Sequence, residues 1–489
     1  MTLSKNLILR VFIFLYLGAF IYQAFFHNSY EILFMDERII IDDIYNQWLL
    51  FDRYDRFYMI EDGLLKNILI FMIEFSYGGD LRYGRIWSNV YSLMIGPFIL
   101  LGDNILITAT RILNITLFIG LCIVTKFLVD KKNYLLVLLF VISIPGSHYL
   151  LSIPKPDILA LVLSLLALLS YKKKDFNKTF ILFGLAYGTK ISALFIFIPF
   201  LFIYFIKDLQ GLKTLFKNFL FFMTGFFISN PILIIPPISS SFPNFQKLYL
   251  SWITGQAKWG QVEYFDTQYS NGWLSFISDY LKINRVFLFI LFLIVLILSL
   301  KTLVTSYSSE QYIEFIICLS GLINLSYILF FVERNFPSYL FQPIYLLIIS
   351  CIIVLRELNV FKYVTFFVIL FVISTGSIYN FQKINSTINE LPNGEKINDI
   401  ENVLEHISDE YTEKNSFKYK VAWSPVGYIP RNNVTYIGNF EVLEHWGGAS
   451  LEELSATYDF YISESAVDNS ANFLVIKNQY FYIYNLNKR

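Results

Sequence analysis

The sequence predicts a polytopic α-helical membrane protein with about eleven transmembrane helices and a small C-terminal α/β domain. Three observations predict it. Of 489 residues, 56% are hydrophobic and only 16% are charged, against about 25% charge in a typical soluble domain. The apolar residues fall in uninterrupted runs near the 20 or so that cross a hydrocarbon core. The basic residues between those runs collect on one side, as the positive-inside rule requires.

The runs fall at about 11–27, 105–129, 133–151, 157–171, 178–190, 191–207, 218–235, 286–305, 311–332, 337–355 and 360–378. The first, after MTLSKNLILR, has no small-residue cleavage site and reads as an uncleaved span. The fifth and sixth share one run, split near Gly188-Thr189-Lys190. With the N-terminus in the cytoplasm, the inside loops carry Lys5 and Arg10, then Lys131 and Lys132, then Lys172, Lys173, Lys174 and Lys178. Lys207, Lys213 and Lys217 follow, then Lys301, then Arg356 and Lys362. An odd span count puts the C-terminal segment outside. The chain is thus expected to be a multi-pass protein of the inner (plasma) membrane, among membrane lipids, with an extracytoplasmic tail.

Residues 1–379 form the transmembrane module in this reading, with external loops at 28–104 and 236–285, and 380–489 form the outer domain. The stretch RIWSNVYSLMIGPFILLG, 85–102, is apolar but does not fit as a span. Counting it would move every later lysine cluster outside. It reads instead as an amphipathic or re-entrant helix at the outer surface, with Trp87 and Tyr91 suited to the interface. In the tail, ENVLEHISDEY is helical, and KVAWS, NVTYI, YDFYIS, NFLVI and YFYIYNL are short strands between turn residues.

Composition also excludes. Net charge is zero, so nothing marks a nucleic-acid footprint. Cys122, Cys318 and Cys351 each lie in an apolar run, without metal-ligand spacing or a disulfide framework. There is no Walker A loop, Rossmann fingerprint, HExxH or GxSxG. The inside loops are too short to bind a nucleotide. Chemistry is therefore expected outside, using a donor carried by the membrane.

Polar residues that could do that chemistry sit at the outer ends. FMDERIIIDDIYNQW supplies Asp36, Glu37, Asp42 and Asp43; if helical, it puts Asp36 and Asp43 on one face. A carboxylate held against a membrane loses hydration and can serve as a general base. The plain alternative is a solvated loop. GGDLRYGRIW offers Arg82 and Arg85, whose forks suit phosphate, or which simply snorkel. SHYLLSIPKPDILAL gathers His148, Lys155 and Asp157 around two prolines: a lysine for phosphate and an acid for a divalent cation, or an ordinary interface. Lys190 lies at an outer turn, and Glu333 and Arg334 at the outer end of the ninth span. Trp252, Trp259 and Trp273 of the second loop could stack on sugars, but an interfacial belt explains them equally.

Taken together, these segments resemble the GT-C superfamily of membrane glycosyltransferases, which includes aminoarabinose transferases, protein O-mannosyltransferases and oligosaccharyltransferase catalytic subunits. The resemblance lies in one span followed by an acidic loop with Asp36-Glu37, then GGDLRYGRIW, then ATRILNITLFIGLCIVTKFL, KPD and LFGLAYGTKISALFIFIP. It covers most of residues 1–378 in layout. It implies a polyprenyl-phosphate sugar donor, inverting transfer outside the membrane, and a lipid, glycan or protein acceptor. It further implies Asp36 as general base with Glu37 as the fallback, and Asp157 and His148 assisting the acceptor or a divalent cation. Arg82, Arg85, Lys155, Lys190 and Arg334 are its candidates for the donor phosphate. The chain has Gly-Arg-Ile-Trp where aminoarabinose transferases have Glu-Lys-Pro-Pro after Arg-Tyr. It also lacks the double acid of oligosaccharyltransferases near Asp157. The competing readings are a transporter or flippase of lipid-linked glycans, a polysaccharide polymerase or ligase, and a non-catalytic assembly subunit.

Overall fold

The computed structural model describes residues 5–26, positions 37, 40, 41, 44, 47 and 48, then 85–128, 154–230, 273, 285–308, 311–332, 337–355, 419–423, 440–444, 450–463, 466–467, 473–477 and 482–486. The apolar runs at 133–151 and 360–378 lie outside these residues. So do the tail segments ENVLEHISDEY and NVTYI.

The described helices of the apolar region are α1 (Lys5–Phe26), α2 (Arg85–Ile95), α3 (Asp103–Leu128), α4 (Pro156–Lys172), α5 (Phe176–Thr189), α6 (Leu194–Lys207), α7 (Leu212–Ser229), α8 (Arg285–Ser308), α9 (Tyr312–Phe331) and α10 (Phe341–Leu355). Each starts or stops where the sequence breaks the apolar period. Pro156 opens α4 at a position that needs no N–H donor. Asp175 caps α5, its carboxylate accepting from the Lys178 N–H at 3.1 Å. The residues Asn104–Leu128 and Tyr312–Phe331 are long and apolar enough to cross a membrane by length and composition.

These helices pack through an apolar core that includes Phe118, Leu165, Phe183, Ile203 and Ile316, and small hydroxyls are buried among them. Thr110, Ser164, Ser320 and Ser350 are buried, each hydroxyl bonded to the carbonyl four residues back. Phe14, Leu212, Val304, Phe330 and Phe331 stand out into the surroundings, Phe14 with 76% of its surface open and Phe330 with 79%. Water would penalise that exposure; lipid does not.

Close packing of α5 on α7 depends on small residues. A Cβ built on Gly184 would lie 2.0 Å from the Phe222 carbonyl oxygen, and one on Gly225 would lie 2.1 Å from that of Ile181. Gly188 meets Ser229 in the same way, one turn on. The backbones therefore approach as in a small-xxx-small pair, and stacked Phe197, Phe222, Tyr187 and Phe226 rings flank the seam.

The residues 85–102 are helical as predicted, but broken: α2 gives way at Gly96-Pro97 to a 3-10 stretch, Gly96–Leu101. Trp87 and Tyr91 correct the sequence reading. Both are buried, 2% and 0% exposed, packed on Ile40, Ile41, Ile44, Leu106 and Leu113. The outward face carries Leu93, Met94, Leu100 and Leu101 instead. The physical reason is that Ile40, Ile41 and Ile44 supply an apolar partner face, and the large rings gain more by filling that seam. Trp273 is likewise no belt residue: it is buried against Ile328 and Leu340 and donates to the Val332 carbonyl at 2.6 Å.

In the tail, β1 (Tyr419–Trp423), β2 (Phe440–Glu444), β3 (Phe460–Ser463), β4 (Leu474–Lys477) and β5 (Tyr482–Asn485) make one sheet, ordered β2-β1-β3-β5-β4. The pairs β1–β2 and β1–β3 are parallel; β3–β5 and β4–β5 are antiparallel, with Ile483 opposite both Ile462 and Ile476. A short helix, Leu451–Ser455, opens with a Ser450–Glu453 capping box. The strand Phe440–Glu444 was missed because Glu441 and Glu444 lower its strand propensity, which an edge position tolerates.

Candidate functional site

The described ionisable residues separate by bundle end. At one end α3, α4, α6 and α10 begin, and α5, α7 and α9 finish. There lie the Glu37–Arg111 pair and the Asp157–Lys190 pair. At the other end, exposed Lys172, Lys173, Lys174, Lys178, Lys207, Lys213 and Lys217 ring the helix termini. Contacts fix which end is which: Lys172 donates to the Phe127 carbonyl at 3.4 Å, and Lys207 lies over the Tyr312 ring.

The first pair is fully desolvated. Arg111 Nε donates to Glu37 Oε1 at 2.5 Å and Nη2 donates to Oε2 at 2.8 Å, with 2% and 0% of the two side chains exposed. Arginine's fork matches a carboxylate in this way, and both Glu37 oxygens are engaged. Around the pair, the segment 37–48 is tied to α2 by Gln47 Nε2 donating to Asn89 Oδ1 at 2.9 Å and Trp48 Nε1 donating to the Ser92 carbonyl at 2.9 Å. The Trp48 indole lies directly on Gly96, where a Cβ would come within 1.7 Å of Nε1. Tyr91 in turn donates to Asn114 Oδ1 at 2.9 Å, binding α2 to α3. Burial, and secondarily the Glu37 charge, push the Tyr91 phenol well above its ordinary range, so it stays protonated.

The second pair lies where α4 starts and α5 ends. Lys190 Nζ donates to Asp157 Oδ1 at 2.5 Å, the side chains 15% and 10% exposed. The ammonium also sits 6.0 Å from the centre of the Tyr339 ring. Lys155, buried at 6% exposed, precedes Pro156 at the cap of α4. Gln342 Nε2 donates to the Ser192 carbonyl at 3.1 Å, tying the turn after Lys190 to α10. The Ser192 hydroxyl is buried without a hydrogen-bond partner among the described residues. Asn230 donates to the Gly188 carbonyl, holding the end of α7 to the same turn. Leu159, one turn into α4, belongs to the apolar cluster of Ile40, Ile41 and Ile44.

Of the residues singled out from sequence, the structure thus describes Glu37, Lys155, Asp157 and Lys190, and the backbone of Arg85 as the first residue of α2. It joins Asp157 to Lys190. Asp36, Arg82, His148 and Arg334 lie outside the described residues. Among the described residues no three His, Cys, Asp or Glu side chains gather as a metal site, and the Asp157 carboxylate is engaged with Lys190. Sequence reasoning passed over Arg111, Gln342 and Tyr339. Arg111 had a signal: it is an arginine inside a long apolar run, and such a residue implies a buried partner. Gln342 and Tyr339 had none.

The described helices thus form a bundle in which Trp48 and Gln47 bind to the α2 helix and Glu37 binds to α3. Two solved structures carry that fold over nearly the whole chain. ArnT from Cupriavidus metallidurans in the apo state matches at 8% identity, covering 97% of each chain with a TM-score of 0.50. ArnT from the same organism bound to undecaprenyl phosphate matches at 10% identity over 99% of this chain and 98% of that one, TM-score 0.51. At these identities the likeness is one of fold. No family model and no curated protein matches the sequence.

Proposed function

We propose that the chain is an integral-membrane glycosyltransferase that moves a sugar from a polyprenyl-phosphate donor to an acceptor outside the membrane, with Asp36 as general base. The observation that carries this is the bidentate Glu37–Arg111 pair. It occupies both oxygens of one of the two adjacent first-loop carboxylates, and so leaves the base role to Asp36, next in the chain. The fold likeness to an ArnT structure bound to undecaprenyl phosphate supports the donor class.

Glycosyl transfer needs a base for the acceptor hydroxyl and cations for the departing phosphate. Asp36 is the base in this reading, and Glu37 becomes a positioning residue. Lys155 and Lys190 are the described candidates for the phosphate, with Arg82, Arg85 and Arg334 as further candidates. Asp157 and His148 assist the acceptor. Attack opposite the leaving phosphate makes the transfer inverting. Eleven spans, a cytoplasmic N-terminus and an outer α/β domain from residue 380 complete the proposal.

The test is Asp36→Asn in the full chain, reconstituted in proteoliposomes with polyprenyl-phosphate hexoses and pentoses and with lipid, glycan and protein acceptors. Transfer falls by about 10²-fold or more, while the variant inserts and purifies like the parent. Wild-type rates in Asp36→Asn remove that residue from the mechanism. Movement of lipid-linked glycan between leaflets without transfer would establish the flippase reading instead.

A further inference from the structure

The Asp157–Lys190 pair is built to be exchanged. We propose that Asp157 is a built-in occupant of a phosphate subsite on Lys190, and that an incoming phosphate group displaces the Asp157 carboxylate from the ammonium. The inference rests on the glycosyltransferase reading, which makes Lys190 a donor-phosphate ligand, and adds to it a resting partner and an exchange step.

Four observations carry it. Lys190 Nζ is a three-donor point charge on a flexible stem, and one donor goes to Asp157 Oδ1 at 2.5 Å. The pair is not sealed: at 15% and 10% exposure it remains within reach of a ligand, unlike Glu37–Arg111 at 0% and 2%. A second lysine, Lys155, 6% exposed, precedes Pro156 at the cap of α4, so the turn that holds Asp157 carries another cation. And the turn that carries Lys190 is fixed from both sides, by Gln342 to the Ser192 carbonyl and by Asn230 to the Gly188 carbonyl. The backbone is therefore rigid while the lysine head can change partner.

The two pairs serve different ends for a physical reason. A bidentate arginine in a dry site gives up its carboxylate only at large cost, whereas a half-buried lysine holding one oxygen gives it up to a better acceptor. A phosphate brings more charge and more oxygens than the Asp157 carboxylate, so exchange favours it. The aspartate in turn shields the ammonium while no ligand is present. Once released, it is next to the leaving phosphate and free to accept a hydrogen bond from the acceptor.

This exchange predicts a gain of function that a merely structural residue cannot give. The full chain in nanodiscs is titrated with undecaprenyl phosphate and, separately, with inorganic phosphate. Asp157→Asn removes the competing charge and tightens binding by about tenfold. Lys190→Gln weakens binding, and the double variant behaves like Lys190→Gln alone. Tightening for the lipid only assigns the subsite to a lipid phosphate; tightening for both assigns it to the phosphate group itself. If Asp157→Asn binds both ligands no better than the parent, the exchange is overturned. If the parent and every variant ignore undecaprenyl phosphate while inorganic phosphate still responds, the donor class fails and the exchange stands. Should Asp157→Asn not purify, Asp157→Ser, which also suits the first turn of a helix, answers the same question.

Discussion

At the scale of single residues, the surroundings of Glu37 fix its work. Glu37 is sealed with Arg111, and breaking a buried pair by removing one partner costs about 3–5 kcal/mol because the other charge is left stranded. Glu37→Gln and Arg111→Met should therefore each lower the melting temperature in detergent sharply. The double variant Glu37→Leu/Arg111→Met should recover most of the loss, because no charge remains buried. Its transfer rate should stay low if the pair positions Asp36, so stability and activity part company in that variant. Tyr91 gives a test by pH. Its phenol is held neutral in the fold and ionises near pH 10 when unfolded. Its contribution is thus present in full below about pH 10 and declines as pH rises beyond it, towards the raised folded value. Tyr91→Phe should flatten that alkaline loss in a denaturation series. How much of this was legible depends on the residue. FMDERIIIDD marked the acids and KPD marked Lys155 and Asp157, since charged residues beside apolar runs are conspicuous. What no spacing shows is the partner: Arg111 lies 74 positions from Glu37, and Lys190 lies 33 from Asp157.

At the scale of elements, the seam between α5 and α7 sets how the end of the bundle bearing Lys190 is held. Gly184→Ala and Gly225→Ala push a methyl into backbone oxygens at 2.0 and 2.1 Å. Overpacking of this kind costs about 1–3 kcal/mol. Each variant should melt earlier in detergent, and each should weaken phosphate binding by shifting the Lys190 turn. Gly120→Ala is the control: among the described residues nothing lies within 4 Å of its added methyl, and alanine is the better helix former by about 1 kcal/mol. A fall in stability there equal to that of Gly184→Ala would remove the steric argument. The helices themselves were readable because an apolar run announces its own length; 105–129 became Asp103–Leu128 and 311–332 became Tyr312–Phe331. The helix at 85–95 was readable by excluding a span, but the direction of Trp87 was not. Its partner face, at 37–48, has the right period only once the two segments are brought together. In the tail, aromatic and β-branched strands stood out, while the acidic edge strand Phe440–Glu444 did not.

For the molecule as a whole, the sorting of charge is the feature that joins fold to function. The helix ends that carry Lys172, Lys173, Lys174, Lys207 and Lys213 are opposite to the ends that carry Glu37, Arg111, Asp157 and Lys190. Even the short connection between α4 and α5 is specialised for the basic end. Lys174 takes a left-handed backbone, φ +60°, and its ammonium meets Asp208 at 2.7 Å while Tyr171 donates to the same carboxylate at 2.5 Å. Lysines near span ends stay in the cytoplasm, so this sorting predicts an orientation that is independent of any enzymology. Right-side-out vesicles carrying Lys173→Cys should resist a membrane-impermeant maleimide until they are permeabilised. Vesicles carrying Glu452→Cys, exposed on the short helix of the tail, should label at once. Labelling of Lys173→Cys in sealed vesicles would put both charged pairs on the cytoplasmic side. A lipid-linked donor would then lose its special fitness there, because nucleotide sugars are at hand. The orientation experiment thus bears on the donor class as directly as an assay of transfer does.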